Sequence, residues 1–223
     1  MRTRFKNRED AGRKLARDLR NFAGRPDLIV LALPRGGVPV GYEVATTFEV
    51  PLDVFVVRKL GVPGREELAC GAIATGNIRV INEHIVRACG ISLAAIASID
   101  EAERAELTRR EETYRLGRPP LDVEGRTVIL VDDGLATGAT MRAAVEALKT
   151  RSPAQILVAV PTAPPETVVA FVQAGIDVIA TMTPRPFHAV GNWYDDFTQT
   201  TDQEVADLLS RARDHISMLR HSA

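Results

Sequence analysis

Five apolar runs, each about the length of a β-strand, punctuate this 223-residue chain: LIVLAL (28–33), LDVFVV (52–57), TVILVD (127–132), QILVAVP (155–161) and DVIATM (177–182). They read as near-continuous hydrophobic runs rather than as polar–apolar alternation. A strand apolar on both faces must be covered on both faces, as in a parallel sheet packed between helices. The intervening segments have helical character. Leu15, Leu19 and Phe22 recur at helical spacing after Asp10, and YEVATTF (42–48) is compatible with a short helix. Helices are also predicted over 138–150, 165–174 and 203–220, the last with Val205, Leu208, Leu209 and Ala212 on one face. Strand–helix alternation of this kind predicts an α/β fold. With no repeat, low-complexity tract or linker, one domain is expected over 1–223.

Two stretches depart from the alternation. RKLGVPGREELACGAIATGNIRVI (58–81) is glycine-rich and ends in a hairpin-like pattern around Gly76-Asn77. Residues 82–118 are helical in composition and form an insertion, with Ser92 as a plausible N-cap and Glu106 four residues before Arg110. The charge density of its second helix predicts a largely solvated element, closed by Pro119-Pro120.

Composition removes several function classes. A formal net charge of −1 gives no positive field to draw the molecule to nucleic acid or anionic lipid. Arg2, Arg4, Lys6, Arg8, Arg13, Lys14, Arg17 and Arg20 make the N-terminus basic, but acids interrupt them and no apolar h-region follows, so no leader is expected. No uninterrupted apolar stretch is long enough for a membrane span. Two cysteines (Cys70, Cys89) and four scattered histidines (His84, His188, His215, His221) provide neither a disulfide framework nor a protein-built metal cage. A reduced, cytoplasmic setting is expected.

The third run continues as VILVDDGLATGATM (128–141). Its two carboxylates stand at the carboxyl end of a buried strand, where ligands sit in open α/β sheets. Gly134, Leu135, Ala136, Thr137, Gly138, Ala139 and Thr140 then turn into a helix, offering backbone N–H groups and two hydroxyls to an anion. Phosphate at one end and diol-binding acids at the other match a ribose 5-phosphate. The stretch has neither the Gly-Lys-Ser/Thr of a Walker A loop nor the G-x-G-x-x-G fingerprint.

This stretch resembles the phosphoribosyl-pyrophosphate (PRPP) signature of the type I phosphoribosyltransferases. Two Asp, Thr, Gly and Thr fixed in place after four apolar residues arise by chance on the order of 10⁻⁶ per chain. LPRGGVPVG (33–41) is similar to the family's pyrophosphate loop, which implies Arg35, Gly36 and Gly37 at the leaving group. Arg58-Lys59 is similar to the basic pair that opens the mobile catalytic loop of the orotate enzyme, although that loop's later Lys and His do not appear. The resemblance implies a parallel sheet flanked by helices, with the helical insertion and a small C-terminal hood (183–220). It implies transfer of ribose 5-phosphate from PRPP to a small-molecule acceptor, usually a ring nitrogen, with Mg²⁺ brought by PRPP. Catalytic roles fall to Lys59 and Arg35, ribose binding to Asp132 and Asp133, and phosphate binding to 134–140.

Phe187, Trp193, Tyr194 and Phe197 would form a hood over the acceptor or pack the C-terminal helix. Glu66 or Glu67 is a candidate base. Tyr114 and Arg115 either reach the site or are solvated, and the insertion is expected at the site's rim, as a lid or a homodimer contact. Two rival readings remain open: a PRPP-sensing regulator without significant turnover, and a PRPP-site enzyme with a non-nucleobase acceptor. Ala136 stands where 6-oxopurine enzymes usually carry an aspartate, so hypoxanthine, guanine and xanthine are expected to be poor acceptors.

Overall fold

The computed structural model describes residues 4–222, with the backbone alone for Glu66, Glu67 and 220–222. A five-stranded parallel sheet forms its centre, from β1 (Leu28–Ala32), β2 (Leu52–Val54), β6 (Thr127–Val131), β7 (Gln155–Thr162) and β8 (Asp177–Met182) in the order β2-β1-β6-β7-β8. Alternate residues feed two cores. Leu28, Val30, Ala32, Ile129 and Val131 meet α1 (Arg8–Asp18), α2 (Gly37–Phe48) and α7 (Asp202–Ser222). Ile29, Leu31, Val128 and Leu130 meet α5 (Ala139–Lys149) and α6 (Pro165–Gln173). Both faces are covered, as the apolar runs require.

The run 52–57 is not one strand. β2 stops at Val54, and β3 (Val57–Val62) joins a separate antiparallel sheet with β4 (Arg65–Ala74) and β5 (Ile78–Ile81). Val56 makes the crossing, its N–H donating to Thr75 Oγ1 at 2.9 Å and its carbonyl accepting from Thr75 N at 2.9 Å. Both sheets are buried here, so hydropathy alone shows no break. The hairpin expected at Gly76-Asn77 joins β4 to β5, both residues having positive φ.

The insertion folds as α3 (Glu83–Cys89) and α4 (Leu93–Arg115), capped by Asn82 and by Ser92, whose Oγ accepts from Ala95 N at 3.1 Å. Glu106 pairs with Arg110 at 2.6 Å. α4 is less solvated than its charge suggests, because Ile96, Leu107 and Tyr114 bury one side of it against β3, β4 and α7. Among the described residues no helix is long and apolar enough to cross a membrane.

Candidate active site

β1 and β6 are paired from Leu28↔Thr127 to Ala32↔Val131, so the two strands end together. Whatever leaves them starts side by side. From β1 comes Leu33-Pro34-Arg35-Gly36-Gly37, tied by Leu33 N–H to the Val131 carbonyl at 2.8 Å; from β6 comes Asp132-Asp133. The strand that follows β1 lies on its other side, which makes the β1/β6 gap the topological switch point where such sheets bind ligands. Two glycines permit the close approach. A Cβ on Gly36 would collide with the Asp133 carboxylate, and one on Gly37 would lie 2.8 Å from Val131 O and 3.0 Å from Asp132 Cα.

Both carboxylates are half-buried. Burial, and next the neighbouring Asp133 charge, hold the Asp132 carboxyl well above its ordinary pKa. Burial also raises Asp133, opposed by the Arg8 guanidinium. Arg8 Nε donates to Asp133 Oδ2 at 2.9 Å and Nη1 to the Thr198 carbonyl at 2.7 Å, while the guanidinium lies 4.0 Å over the Phe197 ring. Tyr194 OH donates to the Asp133 carbonyl at 2.5 Å. This environment penalises two adjacent negative charges, and hydroxyl donors or a cation would relieve it.

The loop beyond the acids is anchored from below and open above. Leu135 is buried, its N–H bonded to Thr162 O at 2.9 Å, and Thr167 Oγ1 donates to Ala136 O at 2.7 Å. Arg142 donates to the Thr137 carbonyl and lies 4.8 Å over the Phe171 ring. Ala136, Thr137, Ala139 and Thr140 are exposed. Among the described residues no protein acceptor takes the N–H of Ala136, Thr137 or Gly138. The first turn of α5 carries no acid to compete for an anion. Donors converging at a helix N-terminus suit a phosphate.

Gly138 sets that turn, with φ +70° and a Cβ position 2.6 Å from Phe171 Cε2. Gly138→Ala is expected to cost about 1–3 kcal/mol in left-handed strain and crowding. A thermal melt should show it as a loss of several degrees.

The phosphoribosyl transferase domain model matches residues 3–171. The chain belongs to this family. It is 45% identical over 208 residues to the Mycobacterium tuberculosis H37Rv protein named "Putative phosphoribosyl transferase Rv0571c", covering 93% of this chain and 47% of that protein. The chain thus spans about half the length of the curated relatives it matches. The crystal structure of TT1426 from Thermus thermophilus superimposes with a TM-score of 0.85 at 40% identity, covering 93% of this chain and 98% of that one. A shorter match, 41% over 75 residues, is to the uracil phosphoribosyltransferase of Lacticaseibacillus paracasei, covering 34% of this chain and 35% of that protein.

In this phosphoribosyl transferase fold Arg35 follows β1 beside the acids in the backbone, but its guanidinium is directed to α7, with Nη1 3.8 Å from Asp202 Oδ1. Asp202 also accepts from Tyr114 OH at 2.8 Å and lies 3.5 Å from Arg109 Nη1, which ties α4 to the Arg35 loop. Tyr114 and Arg115 are neither solvated nor at the acids. Tyr114 is fully buried on Asp202, and Arg115 pairs with Asp53 at 3.0 Å, because an Asp inside an apolar run needs a cation.

Arg58 and Lys59 part company on β3. Arg58 pairs with Glu103 of α4 at 2.6 Å, while Lys59 lies on the opposite face, toward α5, with no ion pair among the described residues. The Glu66 and Glu67 side chains lie outside the described residues. Trp193 and Tyr194 are buried with Phe5 and Ala11 in a third cluster. Phe187 is half-buried and stacks on Trp193 at 6.2 Å, and Phe197 is exposed. Val190 stands 2.5 Å from a Cβ position on Gly134, so the segment between β8 and α7 touches the 134–140 loop. Arg8, Arg142 and Asp202 carry no local sequence signal; each meets its partner only after folding.

Proposed function

We propose that the chain binds PRPP across the β1/β6 crevice and transfers its ribose 5-phosphate to a nitrogen acceptor, releasing pyrophosphate. One observation carries this reading: Gly36-Gly37 and Asp132-Asp133 lie in contact, and the acids lead without a break into the α5 phosphate nest. The 5′-phosphate takes the N–H groups and hydroxyls of 136–140. Asp132 and Asp133 accept from the ribose diol, whose donors offset the cost of two close carboxylates. The pyrophosphate then lies over Gly36-Gly37, near Arg35.

In the reaction the bond from ribose C1 to a pyrophosphate oxygen breaks and a bond from the acceptor nitrogen to C1 forms. The nitrogen's proton passes to water or buffer. Arg35, the loop N–H groups and Lys59 stabilise the charge growing on pyrophosphate. Among the described residues no group of three His, Cys, Asp or Glu side chains could hold a metal. A pair of carboxylates beside phosphate oxygens fits the way Mg²⁺ is usually bound with a phosphorylated substrate. When bound with PRPP, Mg²⁺ supplies charge neutralisation on the leaving group.

Acceptor choice follows from Ala136. It is exposed beside the crevice, and a methyl group neither accepts nor relays a proton. Purified protein with Mg²⁺ and PRPP, offered adenine, uracil, hypoxanthine, guanine, simple amines and water, is expected to release pyrophosphate with an acceptor other than the 6-oxopurines. Robust turnover of hypoxanthine or guanine would overturn the acceptor reading. Absence of pyrophosphate release with every acceptor would overturn the transferase reading in favour of PRPP sensing.

A further inference from the structure

A second cleft, of about 410 Å³, opens on the edge strand β2, away from the β1/β6 crevice. Leu52, Leu121 and Ile216 supply apolar wall; Arg115, Arg118 and Arg213 supply the cations. Arg115 is fully committed: Nε to Asp53 at 3.0 Å, Nη1 to Glu111 at 2.7 Å and Nη2 to the Val54 carbonyl at 2.6 Å. The second Asp53 oxygen accepts the Leu121 N–H at 3.0 Å, and Arg115, bonded to both Asp53 and Glu111, has no nitrogen left unpartnered for a ligand in the floor.

Arg118 and Arg213 are not committed. Neither makes an ion pair among the described residues, and Arg213 Nε is buried without a hydrogen-bond partner. Both line the cleft, and burial, and next the charge of Arg118, hold the Arg213 pKa below its ordinary value. The charges of Asp214, exposed on the same helix, and of Asp53 oppose that lowering, but neither is within ion-pair distance of Arg213. Two arginines that line one cleft and lack an ion-pair partner can both donate to a single anion through their terminal nitrogens. A phosphomonoester carries about two negative charges and three acceptor oxygens. The cleft is larger than inorganic phosphate needs and falls in the range of small-molecule sites, and its wall is apolar.

We propose that this cleft is a second ligand site, taking a phosphomonoester with an apolar or aromatic body between Arg118, Arg213 and the Leu52–Leu121–Ile216 wall. It is independent of the PRPP reading.

Phenyl phosphate, inorganic phosphate and phenol are suitable probes, titrated calorimetrically into the full chain, Arg118→Ala, Arg213→Gln and Thr137→Val. Phenyl phosphate is expected to bind at least tenfold more tightly than inorganic phosphate or phenol. Either arginine variant should weaken it at least tenfold, and binding should persist in Thr137→Val. Arg213→Gln should melt at or above wild type, since it removes an unpartnered, half-buried cation. Should it fail to fold, the exposed Arg118→Ala decides. The proposal is overturned by no binding at millimolar probe, by inorganic phosphate binding equally well, or by affinity that Thr137→Val abolishes and Arg118→Ala leaves intact, which would put the probe in the α5 loop.

Discussion

Replacing Asp132 and Asp133 together by Asn is expected to remove PRPP binding while the protein stays folded. Each carboxylate would lose charge-assisted hydrogen bonds to the ribose diol, about 1.5–3 kcal/mol apiece, so affinity should fall by two orders of magnitude or more. Calorimetric titration with PRPP checks the loss, and unchanged affinity would sink the ribose assignment. The same pair gives an opposite result for stability. Both carboxyls have pKa values raised by burial, Asp132 further by its neighbour. The folded state therefore keeps protons that the unfolded chain releases. Stability of the free protein falls as pH rises above the ordinary carboxylate value and recovers as pH is lowered. Asp132→Asn alone removes the repulsion without touching the Arg8–Asp133 pair. It should raise the neutral-pH melting temperature by a few degrees, about 1 kcal/mol, and the gap should close as pH falls to the ordinary carboxylate value. A residue that stabilises the free protein when its charge is deleted, yet is needed for binding, marks a site kept for function.

The second large effect is kinetic. Lys59→Ala is expected to lower turnover on the order of a hundredfold while PRPP affinity changes less than about tenfold, if the ammonium acts on the departing pyrophosphate. Lys59 makes no ion pair among the described residues, so the variant should melt near wild type. Separate determination of kcat and of PRPP affinity decides the matter. A loss confined to affinity would make Lys59 a ground-state contact and leave Arg35 as the side chain at the leaving group.

The parallel sheet was legible because β1, β6 and β7 bury nearly every residue on both faces, and that demand is written directly into hydropathy. The acidic pair and its loop were legible for a related reason: they are contiguous, so their spacing is their geometry. Where the chain signals only locally, reading fell short. Gly36, Gly37 and Pro39 look like a loop, yet α2 starts at Gly37, five residues before Tyr42. Proline in a first helical turn forfeits no hydrogen bond, and the glycines are there for the approach to Asp132 and Asp133. Arg8 is one of many basic residues near the N-terminus. Nothing local distinguishes it from Arg4 or Arg13, because its partner lies 125 residues away. Asp53 was hidden in an apolar run and Arg115 at the end of a charged helix; only the fold shows that each exists for the other.

The most direct measurement is a calorimetric titration of the full chain with Mg²⁺–PRPP, ribose 5-phosphate and Mg²⁺–pyrophosphate, separately and in competition. On the proposed assignment of the 136–140 loop, Asp132–Asp133 and Gly36–Gly37 to one ligand, PRPP should bind more tightly than either part, and each part should compete with it. Affinity for ribose 5-phosphate should fall with Thr137→Val, and for pyrophosphate with Arg35→Ala. A protein that takes up no PRPP at millimolar concentration, or binds it unchanged with Thr137 and Arg35 both replaced, would contradict this site.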